Sequence, residues 1–148
     1  DMVDLGFNYR LTDFQAALGL SQLKKADKWF KRRTEIANKY DEAFKNTDIK
    51  CLKRSDGIYN AFHLYIIQVN EREKIYNILR EKNIYTQIHY IPIYKFSYYR
   101  KNGYEGISLP HAENYYNRCI SLPMYPALKN DEVDYVIENV LRACSKIN

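Results

Sequence analysis

The chain has 148 residues, of which 46% are hydrophobic and 28% are charged, and its formal net charge is +5. This length suits one ordinary domain with its own core, and the composition is close to that of globular proteins, which excludes a disordered or fibrous class. The excess of Lys and Arg favours anionic partners in general without specifying one.

The sequence carries no mark of a membrane or secreted protein. It has no run of about 18 apolar residues, and its first residues lack the basic and apolar stretches of a signal peptide. Cys51, Cys119 and Cys144 are widely separated and form no CxxC pair, which argues against a disulfide framework and a zinc site. We therefore expect a soluble, cytoplasmic protein with no membrane partner. Because the chain opens without an initiator Met, we also expect it to be a fragment of a longer protein.

Thr12 and Gln15 form a capping-box pattern, which predicts the start of a long helix. Apolar residues recur at every third or fourth position from Ala16 to Phe44, so we predict one continuous helix about 50 Å long that ends near Phe44. Residues 14–23 are apolar or small almost all round, and we expect them to be buried against more than one neighbour. The second half has a basic face typical of a solvated surface.

After a polar connection over residues 46–57, the sequence predicts a small α+β domain. Residues 62–69 and 84–90 have the patterns of strands, and residues 120–122 form a short third strand. Helices are predicted from a capping box of Asn70 and Glu73 to Asn83, over residues 94–101 before Gly103, from His111 to Arg118, and from a cap at Asn130 onward. We therefore expect a three-stranded sheet with helices on one face.

Three histidines are candidates for chemistry. His63 lies inside a predicted strand and is expected to be a satisfied structural residue, whereas His111 opens a helix and is expected on the surface. His89 closes a strand beside Pro92, where binding groups are commonly presented, but that position leaves a functional and a structural role equally open. The GxSxG, HExxH, GxGxxG and Walker A patterns do not occur, so we assign no catalytic residue and no metal site.

The stretch GFNYRLTDFQAALGLSQL, residues 6–23, resembles the GxNYRLTDxQAALGLxQL signature of the DegT-type sugar aminotransferases. These are pyridoxal-phosphate enzymes that act on nucleotide-linked keto-sugars. The segments FHLY (62–65), YTQIHYIPIY (85–94) and SLPMYP (121–126) resemble later motifs in the family's order. The resemblance implies that residues 1–46 are the end of a large domain with its connecting helix, and that residues 47–148 are the small C-terminal domain of a type I PLP-transferase fold.

The resemblance also implies two groups of site residues. Asn8 matches the family's Asn that reaches across the dimer towards the partner's cofactor phosphate and substrate, and an amide offers two donors without adding charge. For Arg10, in the same turn, pairing with an anion and locking the helix start remain open. The family's small domain lines the nucleotide-sugar pocket with the segment that corresponds to residues 85–94. The candidate substrate contacts there are Gln87, His89, Tyr90 and Tyr94.

The chemistry implied by the resemblance is amino transfer through a lysine Schiff base with pyridoxal 5'-phosphate as electron sink. In the family that lysine lies upstream of the NYR motif, and no lysine of this chain falls in a matching motif. The implied parent is a homo-oligomer that transfers an amino group from glutamate to a UDP-linked 4-keto-6-deoxy sugar, and the chain alone is expected to be inactive. The form of residues 87–94 is most similar to the family branch that acts in pseudaminic acid synthesis.

An alternative is a small basic module that binds nucleic acid or another anionic partner, as the +5 charge and the basic helix face would allow. Asp27 and Glu35 interrupt that face, and no Gly/aromatic RNA motif accompanies it, so we expect no nucleic-acid partner. Without a large domain to cover residues 14–23, we further expect exposed apolar surface and self-association.

Overall fold

The computed structural model describes residues 4–7, 9–55 and 57–146. Its helices are α1 (Asp13–Leu23), α2 (Ala26–Phe44), α3 (Arg72–Glu81), α4 (Ser97–Tyr99), α5 (Pro110–Arg118) and α6 (Asn130–Ser145). Short helical turns cover Ile93–Lys95 and Arg100–Tyr104. Its strands are β1 (Lys50–Cys51), β2 (Tyr65–Gln68) and β3 (Cys119–Leu122), which form one antiparallel sheet in the order β1-β2-β3.

The register of β2 and β3 places the apolar residues of both strands on one face. Tyr65 pairs with Leu122 and Ile67 with Ile120, and residues directly opposite in an antiparallel pair share a face. All four are buried in one core with residues of α2, α3 and α6. The predicted α+β architecture, a three-stranded sheet with helices on one face, is therefore confirmed.

The helices contribute to this core through apolar stripes with helical spacing. The buried residues are Ile36, Ala37, Tyr40 and Phe44 of α2, Ile75 and Leu79 of α3, and Val133, Val136, Val140 and Ala143 of α6. These stripes agree with the periodicity from which the helices were predicted.

One of the three predicted strands is wrong in detail. Residues 84–90 do not form a strand, and only Gln87 makes a bridge, with Ser121 at the edge of β3. The third strand is instead β1, which pairs through Lys50 and Cys51 with the other edge of β2. Two residues are too short for a period-2 pattern to be visible, so the sequence alone reads this segment as a polar connection.

The predicted long helix is broken. Lys24 and Lys25 form a turn between α1 and α2, where the Lys25 N–H donates to the Gln22 carbonyl at 2.9 Å, a tighter i to i+3 contact than a regular α-helix makes. None of the described residues of α1 is buried, and Leu20 and Leu23 are 63% and 69% exposed. The burial predicted for residues 14–23 is therefore not provided by the described residues of this chain.

Of the three predicted helix caps, one is confirmed. Thr12 and Gln15 form the capping box: the Thr12 N–H donates to Gln15 Oε1 at 3.0 Å, and the Gln15 N–H donates to Thr12 Oγ1 at 3.3 Å. The box predicted at Asn70 is wrong, because Glu71 is the N-cap of α3 and its φ of +49° places its backbone in the left-handed region. The cap predicted at Asn130 is wrong by one residue, since Lys129 precedes α6.

The structure corrects the prediction for His63. Its side chain is exposed, and β2 begins only at Tyr65. The preceding turn explains the late start, because Phe62 has a φ of +46° and its N–H donates to Asn60 Oδ1 at 2.8 Å. Because the Asn60 side chain accepts the Phe62 N–H, these residues form a local turn and do not pair with a neighbouring strand.

Arg33 ties α2 to the segment before β2 and to the segment after β3. Its Nη1 donates to the carbonyls of Phe62 at 2.8 Å, His63 at 3.2 Å and Met124 at 3.0 Å. One guanidinium therefore satisfies carbonyls of two segments that are far apart in sequence.

Candidate functional site

The segment that contains the candidate substrate contacts begins at the end of α3. Asn83 has a φ of +58°, its N–H donates to the Arg80 carbonyl at 3.0 Å, and the Ile84 N–H donates to the Leu79 carbonyl at 2.9 Å. This pair of bonds is a Schellman motif, in which a left-handed residue ends the helix. Because Ile84 and Leu79 are both buried, the motif holds the segment against the core.

Gln87 fixes the segment to the edge of the sheet. Its N–H donates to the Ser121 carbonyl at 3.1 Å, and its carbonyl accepts from the Ser121 N–H at 2.8 Å. In β3, Ser121 alternates with the core residues Ile120 and Leu122, so its side chain lies on the face opposite the helices. The two backbone bonds therefore hold Gln87 beside that second face.

His89 is held on the same face. Its Nδ1 lies 2.8 Å from Ser121 Oγ, and a hydroxyl can donate to or accept from this nitrogen, so the ring is oriented in either tautomer. Nε2 makes no hydrogen bond to any described residue. The ring is half-buried, which leaves that nitrogen available to a ligand.

The two candidate tyrosines have different surroundings. Tyr90 is 69% exposed, and its ring meets the His89 ring edge-on with 4.6 Å between centroids. Tyr94 is only 8% exposed, and its hydroxyl donates to Glu113 Oε1 at 2.8 Å. The Tyr90 ring is therefore accessible from solvent, whereas the Tyr94 hydroxyl is already engaged with α5.

Glu113 is the centre of a small polar cluster. It accepts from Tyr94, from the Leu109 N–H at 3.4 Å, and in an ion pair from Lys95 Nζ at 3.5 Å. The hydrogen bond from Tyr94 is the main cause that lowers the pKa of Glu113, and burial raises the pKa of Tyr94. The cluster joins the turn at Ile93–Lys95 to the start of α5.

We expect Tyr94→Phe to weaken the acid dependence of stability. The pKa of Glu113 is lower in the folded than in the unfolded state. The ionised carboxylate therefore stabilises the fold above its unfolded pKa of about 4.3. This contribution is lost as the pH falls through the folded pKa. Without the phenol, the loss of unfolding free energy between about pH 5 and 3 should be smaller. Urea unfolding across this range measures it.

Tyr98→Phe is the matched control, because the Tyr98 ring is 70% exposed. Its pH profile should follow the wild type. If Tyr94→Phe also follows the wild type, the phenol is not what lowers the pKa of Glu113.

Two residues of this region were not predicted from the sequence. Ser121 was noted only as part of a family-like segment, and Glu113 carried no signal because an isolated carboxylate on a helix is typical of a solvated surface. Both contacts join residues about 20 to 30 positions apart in sequence, so only the tertiary structure reveals them.

The remaining predicted residues lie elsewhere or beyond description. Asn8 lies outside the described residues, and Arg10 is exposed. His111 is exposed in the first turn of α5, as predicted. In the described part of the chain, no cluster of three or more His, Cys, Asp or Glu side chains is suited to hold a metal ion.

The lysines of this chain are exposed or half-exposed. A Schiff-base lysine works from a desolvated pocket that lowers its pKa, yet none of the lysine side chains among the described residues is buried. The two that are only half-exposed, Lys39 and Lys95, form ion pairs with Asp134 at 2.7 Å and Glu113 at 3.5 Å.

The N-terminal signature and the segment around His89 and Ser121 fall within one known family. Residues 1–141 match the family described as DegT/DnrJ/EryC1/StrS aminotransferases. The chain belongs to this aminotransferase family. None of the helices of the described residues combines the length and the apolar character needed to cross a membrane.

Two relatives illustrate the match to this aminotransferase family. The chain is 43% identical over 145 residues to the spore coat polysaccharide biosynthesis protein SpsC of Bacillus subtilis, covering 91% of this chain and 37% of that protein. It is 37% identical over 153 residues to the UDP-4-amino-4,6-dideoxy-N-acetyl-beta-L-altrosamine transaminase of Campylobacter jejuni, covering 99% of this chain and 40% of the transaminase. The chain thus spans about two fifths of the length of these relatives.

Solved structures of the aminotransferase family agree with the fold. Helicobacter pylori PseC, an aminotransferase involved in the biosynthesis of pseudoaminic acid, superposes with a TM-score of 0.86 at 32% identity, covering 99% of this chain and 41% of PseC. The PLP form of the putative sugar aminotransferase Spr1654 from Streptococcus pneumoniae superposes with a TM-score of 0.90 at 29% identity, covering 100% of this chain and 39% of Spr1654. The fold of this chain is therefore shared with solved members of the family.

Proposed function

We propose that this chain is the C-terminal part of a pyridoxal-phosphate-dependent aminotransferase that transfers an amino group from glutamate to a UDP-linked 4-keto-6-deoxy sugar in the cytoplasm. The observation that carries the proposal is the family match over residues 1–141. The Campylobacter transaminase, whose name specifies a UDP-linked dideoxy sugar, supports the substrate class. The likeness to PseC supports a place in pseudaminic acid synthesis.

The proposed substrate contacts follow from the face opposite the helices. His89 Nε2 and the Gln87 amide can exchange hydrogen bonds with sugar hydroxyls, and the exposed Tyr90 ring offers a surface for stacking on a sugar or a base. Tyr94 borders this region, with its hydroxyl directed to Glu113. We also propose that Asn8 serves the cofactor phosphate and substrate of a partner subunit.

The assay of the full-length enzyme tests this function. Formation of 2-oxoglutarate from glutamate should depend on added UDP-4-keto-6-deoxy sugar. His89→Ala should lower kcat/KM for the sugar by about 10-fold or more, because it removes a hydrogen bond and the partner of Ser121. His111→Ala, at an exposed position of α5, is the matched control and should retain full activity. Full activity of His89→Ala would remove His89 from the substrate site.

We expect the 148-residue chain alone to form no more Schiff base with pyridoxal phosphate than free lysine does, because none of its lysines, all of which lie among the described residues, is buried. Absorbance spectra of the chain mixed with the cofactor should equal those of the cofactor with free lysine at matched concentration. A distinct band that disappears on mutation of one lysine of the chain would contradict the proposal that the catalytic lysine lies outside it.

We further expect the chain to self-associate through α1. Phe14, Leu20 and Leu23 of α1, together with Leu11 just before it, are between 63% and 80% exposed, an unusual density of large apolar side chains for a monomer surface. Light scattering should give a mass above 17.7 kDa that falls towards this value in the double variant Leu20→Lys, Leu23→Lys. A monomeric wild type at high concentration would contradict this expectation.

A further inference from the structure

Two arginines at one corner of the domain have no acidic partner among the residues that the structure describes. Arg72 is the first residue of α3, and Arg118 is the last residue of α5. Among the described residues, neither forms an ion pair or donates a hydrogen bond from its side chain. Other arginines are paired: Arg54 with Asp41, Arg100 with Glu105, and Arg142 with Glu138.

The backbone brings the two side chains to the same corner. The Val69 N–H donates to the Arg118 carbonyl at 3.0 Å, one residue pair beyond the β2–β3 ladder, so the backbone of Arg118 lies next to the buried Val69. Arg72 follows Val69 by three residues and precedes the buried Ile75 and Leu79 by three and seven, which places it on the sheet-facing stripe of α3. Both arginines therefore approach the junction of sheet and helix.

Both guanidinium groups are partly withdrawn from water without compensation. The Nε atoms of Arg72 and Arg118 are buried and have no hydrogen-bond partner. Both residues are only half-buried, and their terminal nitrogens are not among the buried atoms that lack a hydrogen-bond partner, so each fork still reaches solvent. The Arg72 guanidinium carbon lies 5.4 Å from the Tyr116 ring centroid, and that contact orients the fork.

The nearby acidic side chains do not neutralise the positive charges of Arg72 and Arg118. Glu71, next to Arg72, forms an ion pair with Lys74 at 2.7 Å, and Glu113 is engaged by Tyr94 and Lys95. Burial raises the pKa of the Cys119 thiol, and Arg72 opposes that effect, so the thiol remains neutral and supplies no counter-charge. The two half-buried guanidinium groups thus keep Nε–H donors without acceptors. This lowers the stability of the fold unless an anion is bound.

We propose that Arg72 and Arg118 form an oxyanion site that binds a phosphate group. A guanidinium presents parallel N–H donors that match the spacing of phosphate oxygens, and two forks at one corner can engage one tetrahedral anion from two sides. The group can belong to free phosphate or to a nucleotide. The site does not depend on the aminotransferase assignment, since it rests only on residues of this chain.

The test is a titration of the isotope-labelled chain with inorganic phosphate, followed through the arginine Nε–Hε signals in NMR spectra. We expect saturable shifts of the Arg72 and Arg118 signals, and affinity at least about 10-fold weaker in Arg72→Gln and in Arg118→Gln. Arg142→Gln, which removes an exposed arginine paired with Glu138, is the matched control and should bind as the wild type does. Acetate at equal ionic strength should give no saturable shift.

A titration with UDP and a second pair of variants complete the test. UDP that binds more tightly than phosphate identifies a nucleotide as the source of the group, whereas equal affinities identify free phosphate. If the Gln variants lose their dispersed spectra, Arg72→Lys and Arg118→Lys replace them, since they keep the charge but lose the fork and should bind several-fold more weakly. Shifts that do not saturate, that acetate reproduces, or that persist equally in the Arg72 and Arg118 variants would overturn the proposal.

Discussion

Replacing Arg33 with Met is expected to lower the free energy of unfolding by about 3 kcal/mol. The substitution keeps an apolar stem but leaves the carbonyls of Phe62 and Met124, at 2.8 and 3.0 Å from Nη1, without their donor. Hydrogen bonds to charged groups contribute about 1.5–3 kcal/mol each, and partly buried acceptors left unpaired add a desolvation cost. Urea unfolding followed by circular dichroism measures the change.

Lys31→Met is the matched control, because it removes a positive charge from an exposed position two residues away on α2. It should change the unfolding free energy by no more than about 0.5 kcal/mol. Equal losses in the two variants would show that charge on α2, rather than the three carbonyl contacts, accounts for the effect.

Replacing Ile67 with Ala is expected to cost about 3–4 kcal/mol. Ile67 is fully buried in β2 opposite the equally buried Ile120, so the truncation leaves a cavity between the sheet and the helices. Loss of this much stability should shift the urea midpoint strongly without changing the slope of the transition.

The neighbouring residue provides the control for the register. Ile66 is half-buried on the opposite face of β2, so Ile66→Ala should cost clearly less. Because a slip of one residue exchanges the two faces of a strand, the two variants together test the pairing of Ile67 with Ile120. A larger loss in Ile66→Ala would show that the register is shifted.

These stability effects bear on the candidate site through β3. Tyr40 donates to the Pro123 carbonyl at 2.9 Å, and Arg32 donates to the Leu128 carbonyl at 2.5 Å, so α2 holds the chain immediately after Ser121 by several contacts. Ser121 in turn orients His89. Variants that loosen α2 should therefore also disturb the contact between Ser121 and His89.

Periodicity and capping were sufficient for most of the architecture. The capping box at Thr12, the stripe that ends at Phe44 and the helix stop at Asn83 all depend on neighbours within about four positions, so the sequence displays them directly. The break at Lys24 and Lys25 was missed because an apolar pattern can continue across a single tight turn.

The pairing of strands distant in sequence could not be predicted from local patterns. The segment at residues 84–90 alternates like a strand, yet only Gln87 pairs, since the choice of partner depends on the edge that β3 offers. The two-residue β1 exists because the β2 edge accepts Lys50 and Cys51. Such pairing depends on which sheet edges the rest of the chain leaves open, and not on local strand propensity.

The sequence by itself determined the α+β class, the family and the segment that contains Gln87, His89, Tyr90 and Tyr94, because these follow from local patterns and from a long motif. Only the tertiary structure decided what those side chains contact. It orients His89 through Ser121, turns the Tyr94 hydroxyl towards Glu113, and brings Arg72 and Arg118 to one corner. Each of these arrangements joins residues that are distant in sequence, and only folding brings them close together in space.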